Sequence, residues 1–118
     1  MFELNGTRIR LTAGDTGILT IKAQIKHVFT DADRALFTAR KQNGALLAEM
    51  TLQPEPDGTV MIPFTHSLSE KWKPGEYSWD IRFAIDAVFD GGRVVDGTDI
   101  ITPMRPGVLQ VLGTEGRI

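Results

Sequence analysis

The sequence contains no cysteine among its 118 residues. Disulfide bonds, thiolate metal sites and a cysteine nucleophile are therefore all excluded. Because small secreted domains often depend on disulfides, this absence favours synthesis in a reducing cytoplasm. A chain of this length buries about two-thirds of its unfolded surface on folding. We therefore expect a single domain, residues 1–118, that folds without cross-links.

An excess of basic charge and long apolar runs are also lacking. The chain has 13 Lys and Arg against 15 Asp and Glu, a formal net charge of −2. It has no basic stripe that would neutralise phosphates, so we expect no nucleic-acid partner. No apolar run approaches the roughly 18 residues of a membrane-spanning helix. The start "MFELNGTRIRLTAGD" lacks the charged and apolar regions of a signal peptide, so we expect no membrane partner.

The sequence is rich instead in alternating apolar and polar residues. In "LTIKAQIK" (19–26) the apolar residues share one parity. In "PGEYSWDIRFAIDA" (74–87) they do so over a longer run, at Tyr77, Trp79, Ile81, Phe83, Ile85 and Ala87. A period of two indicates antiparallel strands with one buried face. We predict a single long strand here, with Tyr77 and Trp79 in the core.

Turn sequences separate the alternating runs. The segments "QNG" (42–44) and "DGG" (90–92) lie between paired runs and predict hairpins. The long strand should therefore pair with the strand that follows "DGG". About seven or eight strands spaced in this way predict an all-β sandwich or barrel.

One segment, "SLSEKWKPG" (67–75), breaks the alternation. A short helical turn near 67–73 is predicted here, with Ser67 or Ser69 as its N-cap and a stop at the Pro-Gly step. Leu68 and Trp72 are four residues apart and would share its buried face. Trp72 also stays a candidate for an exposed ring that stacks on a sugar.

The motif "GDTG" (14–17) contains Asp-Thr-Gly, as in small dimeric aspartic proteases, where two carboxylates share a proton. In those enzymes the Asp directly follows an apolar strand, whereas Thr12, Ala13 and Gly14 intervene here. We therefore interpret the motif as a tight turn, and a protease that uses Asp15 is the least favoured alternative.

Other polar residues give no stronger sign of catalysis. "DAD" (31–33) resembles the start of a calcium loop, but Ala35 stands where an oxygen ligand is needed. His66 continues the inward set of its strand, so we expect a hydrogen-bonded histidine at the core edge, and His27 should be exposed. We expect no catalytic residue, no metal site and no cofactor, and hence no enzyme.

Four residues form a candidate interaction surface. Pro63 cannot donate to a strand ladder, so its strand should lie at a sheet edge. Met61 and Leu47 are apolar at outward positions of their strands and would belong to a contact patch. Trp72, on the irregular segment, is the fourth candidate.

The order of motifs along the chain resembles a known family. "RIRLTAGDTGILTIKAQI", "DGTVMIPFT", "LSEKWKPGEYSWDI", the "DGG" hairpin and "TPMRPGVLQVLGT" follow one another over roughly residues 7–114. This order is similar to that of immunoglobulin-like domains in phage tail and baseplate proteins, namely the N-terminal domain of baseplate upper proteins and small prophage tail proteins.

The resemblance implies an immunoglobulin-like antiparallel β-sandwich. It further implies a structural or adaptor protein of a virion tail, made in the bacterial cytoplasm. Its partners would be other tail or baseplate proteins, or copies of itself in a homo-oligomer. The alternative is a carbohydrate- or surface-binding β-sandwich module.

Overall fold

The structure is a computed structural model that describes residues 1–113. The predicted domain 1–118 extends into residues 114–118, which lie outside the described part. The described residues form strands and one short helix, which confirms the all-β prediction. In chain order they are β1 (Phe2–Asn5), β2 (Arg8–Thr12), β3 (Gly17–Lys22), β4 (Arg34–Arg40), β5 (Leu46–Leu52), β6 (Thr59–Phe64), α1 (His66–Ser69), β7 (Gly75–Ile85), β8 (Val88–Asp90), β9 (Arg93–Asp96), β10 (Asp99–Ile101) and β11 (Gly107–Leu112).

The fold is sandwich-like, with one large sheet and two small ones. The large sheet has the order β1-β2-β11-β7-β4-β5, and β10 also pairs with β7. The pair β3-β6 forms a second sheet, and β8-β9 a third. Adjacent strands are antiparallel except β2 and β11, which are parallel. This parallel pair departs from the fully antiparallel prediction. It arises because β11 runs opposite to β7 and in the same direction as its other neighbour, β2.

The core lies between the large sheet and β3-β6, as the alternation predicts. Trp79, on β7, is 2% exposed, and its indole N–H donates to the carbonyl of Thr7 over 2.9 Å. Phe37 stacks on Trp79 with ring centroids 5.7 Å apart and meets Phe64 of β6 edge-on at 5.6 Å. Tyr77 is partly buried against this core. The aromatic rings therefore join the two layers.

The prediction that the long strand pairs with the run after "DGG" was only partly right, because residues 99–101 form β10, which pairs with β7, whereas residues 93–96 form β9, which pairs with β8. β7 pairs with β4 along one edge, and with β11 and then β10 along the other. It ends at Ile85 because Asp86 has a φ of 49° and turns the chain out of the sheet. The chain returns where the Thr98 N–H donates to the carbonyl of Ile85. The "DGG" hairpin is thus β8-β9, a separate ribbon.

This ribbon is tied to the outer face of the large sheet. Arg93 of β9 forms two hydrogen bonds, of 3.0 and 3.2 Å, with the carboxylate of Glu49 on β5. The guanidinium of Arg34 lies 5.3 Å from the ring centroid of Phe89.

Ala84 points away from the main core yet is fully buried. The loop between β9 and β10 covers Ala84, because a Cβ atom at Gly97 in that loop would lie 3.4 Å from the Ala84 Cβ. This contact explains why an outward position of β7 is not exposed.

A β-bulge changes the pattern at the start of β5. The register of β4 and β5 shifts so that Ala39 pairs with Ala48 while Arg40 pairs with Leu46. The extra residue on the bulged strand reverses the alternation. Leu46, on the predicted inward parity, is exposed, whereas Leu47, on the predicted outward parity, packs against the core.

The predicted helical turn exists, with a different cap. Thr65 is the N-cap, because its hydroxyl accepts from the Leu68 N–H at 3.2 Å. Ser69, a predicted cap, is instead buried at the end of the helix. Leu68 is partly buried and Trp72 is buried, as predicted for one shared face.

Candidate docking surface

The outer side of β3 and β6 carries an exposed apolar patch, which we call the β3–β6 face. Ile18 lies directly opposite Pro63, and Thr20 lies opposite Met61. Ile18 is 61% exposed and Met61 56% exposed, and Pro63 is also exposed. Directly opposed side chains on antiparallel strands lie within contact distance of each other. The patch is therefore a continuous surface across both strands.

The backbone around this face is open. Among the described strands, β3 and β6 hydrogen-bond only with each other, so each has one free edge. The prediction that Pro63 lies in an edge strand is confirmed, and the missing N–H of proline protects that strand from further ladder pairing.

Two of the four predicted interaction residues do not belong to this surface. Leu47 is turned inward by the β5 bulge. Trp72 is 8% exposed, with its ring edge-on to Phe64 at 6.2 Å. The prediction missed Ile18, although "GILTIK" places two adjacent apolar residues, Ile18 and Leu19, on opposite faces of one strand.

The Asp-Thr-Gly segment forms a turn between β2 and β3, which belong to different sheets. The Asp15 carboxylate forms an ion pair with the Met1 amine at the surface. The Ser69 hydroxyl accepts from the Gly14 N–H at 2.9 Å and donates to the Asp15 carbonyl at 3.3 Å. These contacts hold the turn against α1.

His66 completes this anchor at the edge of the core. Its Nδ1 lies 2.8 Å from the carbonyl oxygen of Gly14, and its Nε2 lies 3.0 Å from a Glu70 carboxylate oxygen. Both ring nitrogens therefore face oxygen acceptors, and the prediction of a hydrogen-bonded histidine is confirmed.

The second histidine contacts Asp33, the last residue of the "DAD" segment, whose carboxylate is buried. Asp33 is 1% exposed and accepts from the backbone N–H groups of Thr30 and Asp86 and from His27 Nε2. Burial raises the pKa of Asp33, but these donors outweigh it and hold the pKa below its ordinary value. His27 is thus part of a hydrogen-bond network rather than simply exposed.

This network joins two loops and does not resemble a metal centre. Asp33 links the segment before β4 to the turn after β7. Within residues 1–113 no group of three His, Cys, Asp or Glu side chains could hold a metal ion, and no helix is long and apolar enough to cross a membrane.

A half-enclosed depression of about 340 Å³ lies between β1 and β3, and we call it the β1–β3 groove. Its lining includes the apolar residues Leu4, Leu19, Ile21 and Met104. Leu4 is 47% exposed at the mouth of the groove. The groove opens where the edges of the two main layers approach each other.

Comparison with known proteins adds little to this geometry. No protein-family model and no curated protein matches the chain. Among solved structures it is similar to a "putative glycoside hydrolase" from Bacteroides vulgatus ATCC 8482, with a TM-score of 0.46 and 20% identity. That match covers 89% of this chain and 16% of the other chain. A likeness of this degree carries no argument about function.

Proposed function

We propose that the chain is a non-catalytic structural or adaptor protein of a prophage tail or baseplate. It works by docking its β3–β6 face onto another tail protein. The observation that carries the proposal is the pair of exposed apolar side chains, Ile18 and Met61, beside Pro63 on a two-stranded sheet. The tail itself is inferred from the order of motifs along the sequence.

The physical case for docking rests on the cost of leaving this patch in water. Exposed apolar residues scattered singly are ordinary, whereas a contiguous patch marks an interaction site. Thr20 and Lys22 lie beside Ile18 on the same side of β3 and provide a polar rim. An apolar centre with a polar rim is the usual anatomy of a protein interface.

The carbohydrate-binding alternative has lost its main support. Such a module needs an exposed aromatic ring, and Trp72 is buried against Phe64. Phe89 is partly exposed, but the guanidinium of Arg34 lies over its ring. We therefore carry adaptor docking forward as the function.

The test measures incorporation into particles. A tagged copy is expressed while the prophage of the source bacterium is induced, and banded particles are analysed by mass spectrometry. We expect the 13.0 kDa chain at a fixed ratio to a tail protein. The double substitution Ile18→Lys and Met61→Lys should lower that ratio at least tenfold, because it places two charges in the apolar contact.

The matched control is Val28→Lys, at an apolar residue that is 73% exposed and outside the β3–β6 face. It should be incorporated like the unmodified chain. Absence of the unmodified chain from intact particles would reject the tail role. Equal incorporation of the double variant would reject this face as the contact.

A further inference from the structure

The strand β1 leaves one rim of the large sheet open. Among the described strands it pairs with β2 alone. Proteins usually protect such rims with bulges, prolines or lysines. β5, at the opposite rim, has the bulge at Leu46 and Leu47, and β6 has Pro63. β1, with the sequence "FELN", has no bulge, proline or lysine.

The hydrogen-bond pattern identifies which backbone groups of β1 are free. In an antiparallel pair, hydrogen-bonded and non-hydrogen-bonded residue pairs alternate. The Thr12 N–H donates to the Met1 carbonyl at 2.9 Å. The backbone N–H and C=O groups of residues 1, 3 and 5 therefore point toward β2. The N–H and C=O groups of Phe2 and Leu4 therefore point away from the sheet.

The next strand pair gives an independent check of this assignment. The Ala13 N–H donates to the Leu112 carbonyl at 2.9 Å, and the Val108 N–H donates to the Thr7 carbonyl at 3.1 Å. The backbone N–H and C=O groups of the odd-numbered residues of β2 thus point toward β11, and those of its even-numbered residues point toward β1. Both observations leave the same groups of β1 unpaired.

The open strand is also held firmly in place. The ring of Phe2 packs 5.3 Å from that of Phe64. A Cβ atom at Gly17 would lie 2.2 Å from the Phe2 ring. The approach of β3 to β1 is therefore so close that only glycine fits at position 17. A fixed strand loses little freedom when a partner pairs with it.

We propose that a second copy of this chain pairs through β1, antiparallel to the first and related to it by a twofold axis at Leu4. In this register the two Leu4 residues exchange both of their backbone hydrogen bonds. Glu3 faces Asn5 of the second copy, so no like charges meet. A shift of the register by one residue would oppose backbone groups that point away from the partner strand. It would also place side chains from opposite faces of the sheet side by side. The contact is isologous, as in most dimers.

The same register closes the β1–β3 groove. Leu4 points to the inner side of the sheet, like its β2 partner Ile9. Leu4 of the second copy would lie beside it and cover the apolar groove mouth near Met104. The groove is therefore complete only in the dimer. This contact uses a different surface from the proposed docking face, and neither depends on the other.

The test uses the absence of cysteine in the chain. Three single variants, Leu4→Cys, Glu3→Cys and Asn5→Cys, are oxidised under mild conditions and separated on non-reducing gels. Residues of a hydrogen-bonded antiparallel pair have Cα atoms about 5.5 Å apart, which suits a disulfide. Diagonal positions lie roughly 7–8 Å apart and form one poorly. We expect Leu4→Cys to cross-link at least tenfold faster than the other two.

Solution mass gives the second measurement. The unmodified chain should show a concentration-dependent shift from 13.0 kDa to twice that mass in light scattering. Leu4→Pro removes an N–H that has no partner within one copy, so the domain should keep its circular dichroism while its dimer dissociation constant rises at least tenfold. Leu4→Lys, with two charges on the axis, should do the same. A control, Ile18→Lys, should leave the dimer unchanged.

Three outcomes would overturn the proposal. These are a monomer at every concentration up to the millimolar range, a dimer that survives both substitutions at Leu4, or fastest cross-linking at Glu3 or Asn5. Each is independent of particle incorporation, so the dimer and the tail role can fail separately.

Discussion

Replacing Asp33 with asparagine would remove one charge from a buried network without changing its shape. One carboxylate oxygen accepts from the Asp86 N–H at 3.0 Å, and the other from the Thr30 N–H at 2.9 Å and from His27 at 3.1 Å. Asparagine has an NH₂ group in place of one oxygen. In either orientation, at least one of the two backbone N–H groups, whose hydrogen bonds are partly buried, must therefore face another donor.

The expected loss follows from these contacts. An unsatisfied buried donor costs about 1–3 kcal/mol, and hydrogen bonds to a charged acceptor are roughly twice as strong as neutral ones. We expect Asp33→Asn to lower the free energy of unfolding by about 2–4 kcal/mol, out of a total of about 5–15. Urea denaturation would measure it as a lower midpoint at an unchanged slope. Asp31→Asn, at an exposed neighbour, should change the free energy by under about 0.5 kcal/mol.

The pH dependence adds a signature that simple loss of packing would not give. Burial raises the pKa of Asp33. The N–H groups of Thr30 and Asp86 and the His27 ring lower this pKa by more than burial raises it, so it lies below its ordinary value of 3.8. A carboxyl with a depressed folded pKa stabilises the protein above its unfolded pKa and ceases to do so as pH falls through the folded value. The gap between the unmodified chain and Asp33→Asn should therefore shrink as pH falls below 3.8. A gap under about 0.5 kcal/mol at neutral pH, or one that is constant down to acid pH, would refute this reasoning.

Two further substitutions test the core. Trp79→Ala removes the ring that joins the layers and one of the two donors to the Thr7 carbonyl, the other being the Val108 N–H. We expect a loss of about 3–5 kcal/mol; thermal melting within a few degrees of the unmodified chain would contradict the core assignment. Gly107→Ala places a Cβ 2.1 Å from the Thr7 carbonyl and 2.5 Å from the Trp79 indole nitrogen, and we expect little folded protein on expression. The control is Gly44→Ala, at a residue with a φ of 86° but open space around it. It should fold with a loss of about 1 kcal/mol. Equal behaviour of the two variants would show that the close approach at Gly107 is unimportant.

The sequence predicted the elements whose residues obey one period throughout. Trp79 and its alternating neighbours on β7 are buried as predicted, since a strand with one buried face leaves a regular pattern. The helix cap, Thr65, lies two residues before Ser67 and four before Ser69, the two predicted caps, because several hydroxyl residues nearby have the chemistry of a cap. These elements depend on local chemistry, which the sequence carries directly.

The sequence could not predict features that depend on distant partners. The bulge that turns Leu47 inward arises from the register of β5 against β4, which neither strand encodes alone. The sequence left Trp72 open between a buried ring and an exposed one, and its contact with Phe64, which decides for burial, joins two different elements. The Asp33 network joins residues more than fifty positions apart. Of the four predicted surface residues, Met61 and Pro63 are exposed, whereas Leu47 and Trp72 pack in or against the core.

The position of β11 in the large sheet also has a consequence for the order of folding. β2 hydrogen-bonds only with β1 and β11 among the described strands, and Leu109 of β11 pairs with Ile9 of β2. During synthesis the β1-β2 hairpin can therefore join the rest of the large sheet only after β11, near the end of the chain, has been made. Contacts so distant in sequence slow folding, and in that interval β2 and β7 both expose free edges. Aggregation during expression would begin from this intermediate, and changes that weaken β11 would increase it even where the folded protein stays stable.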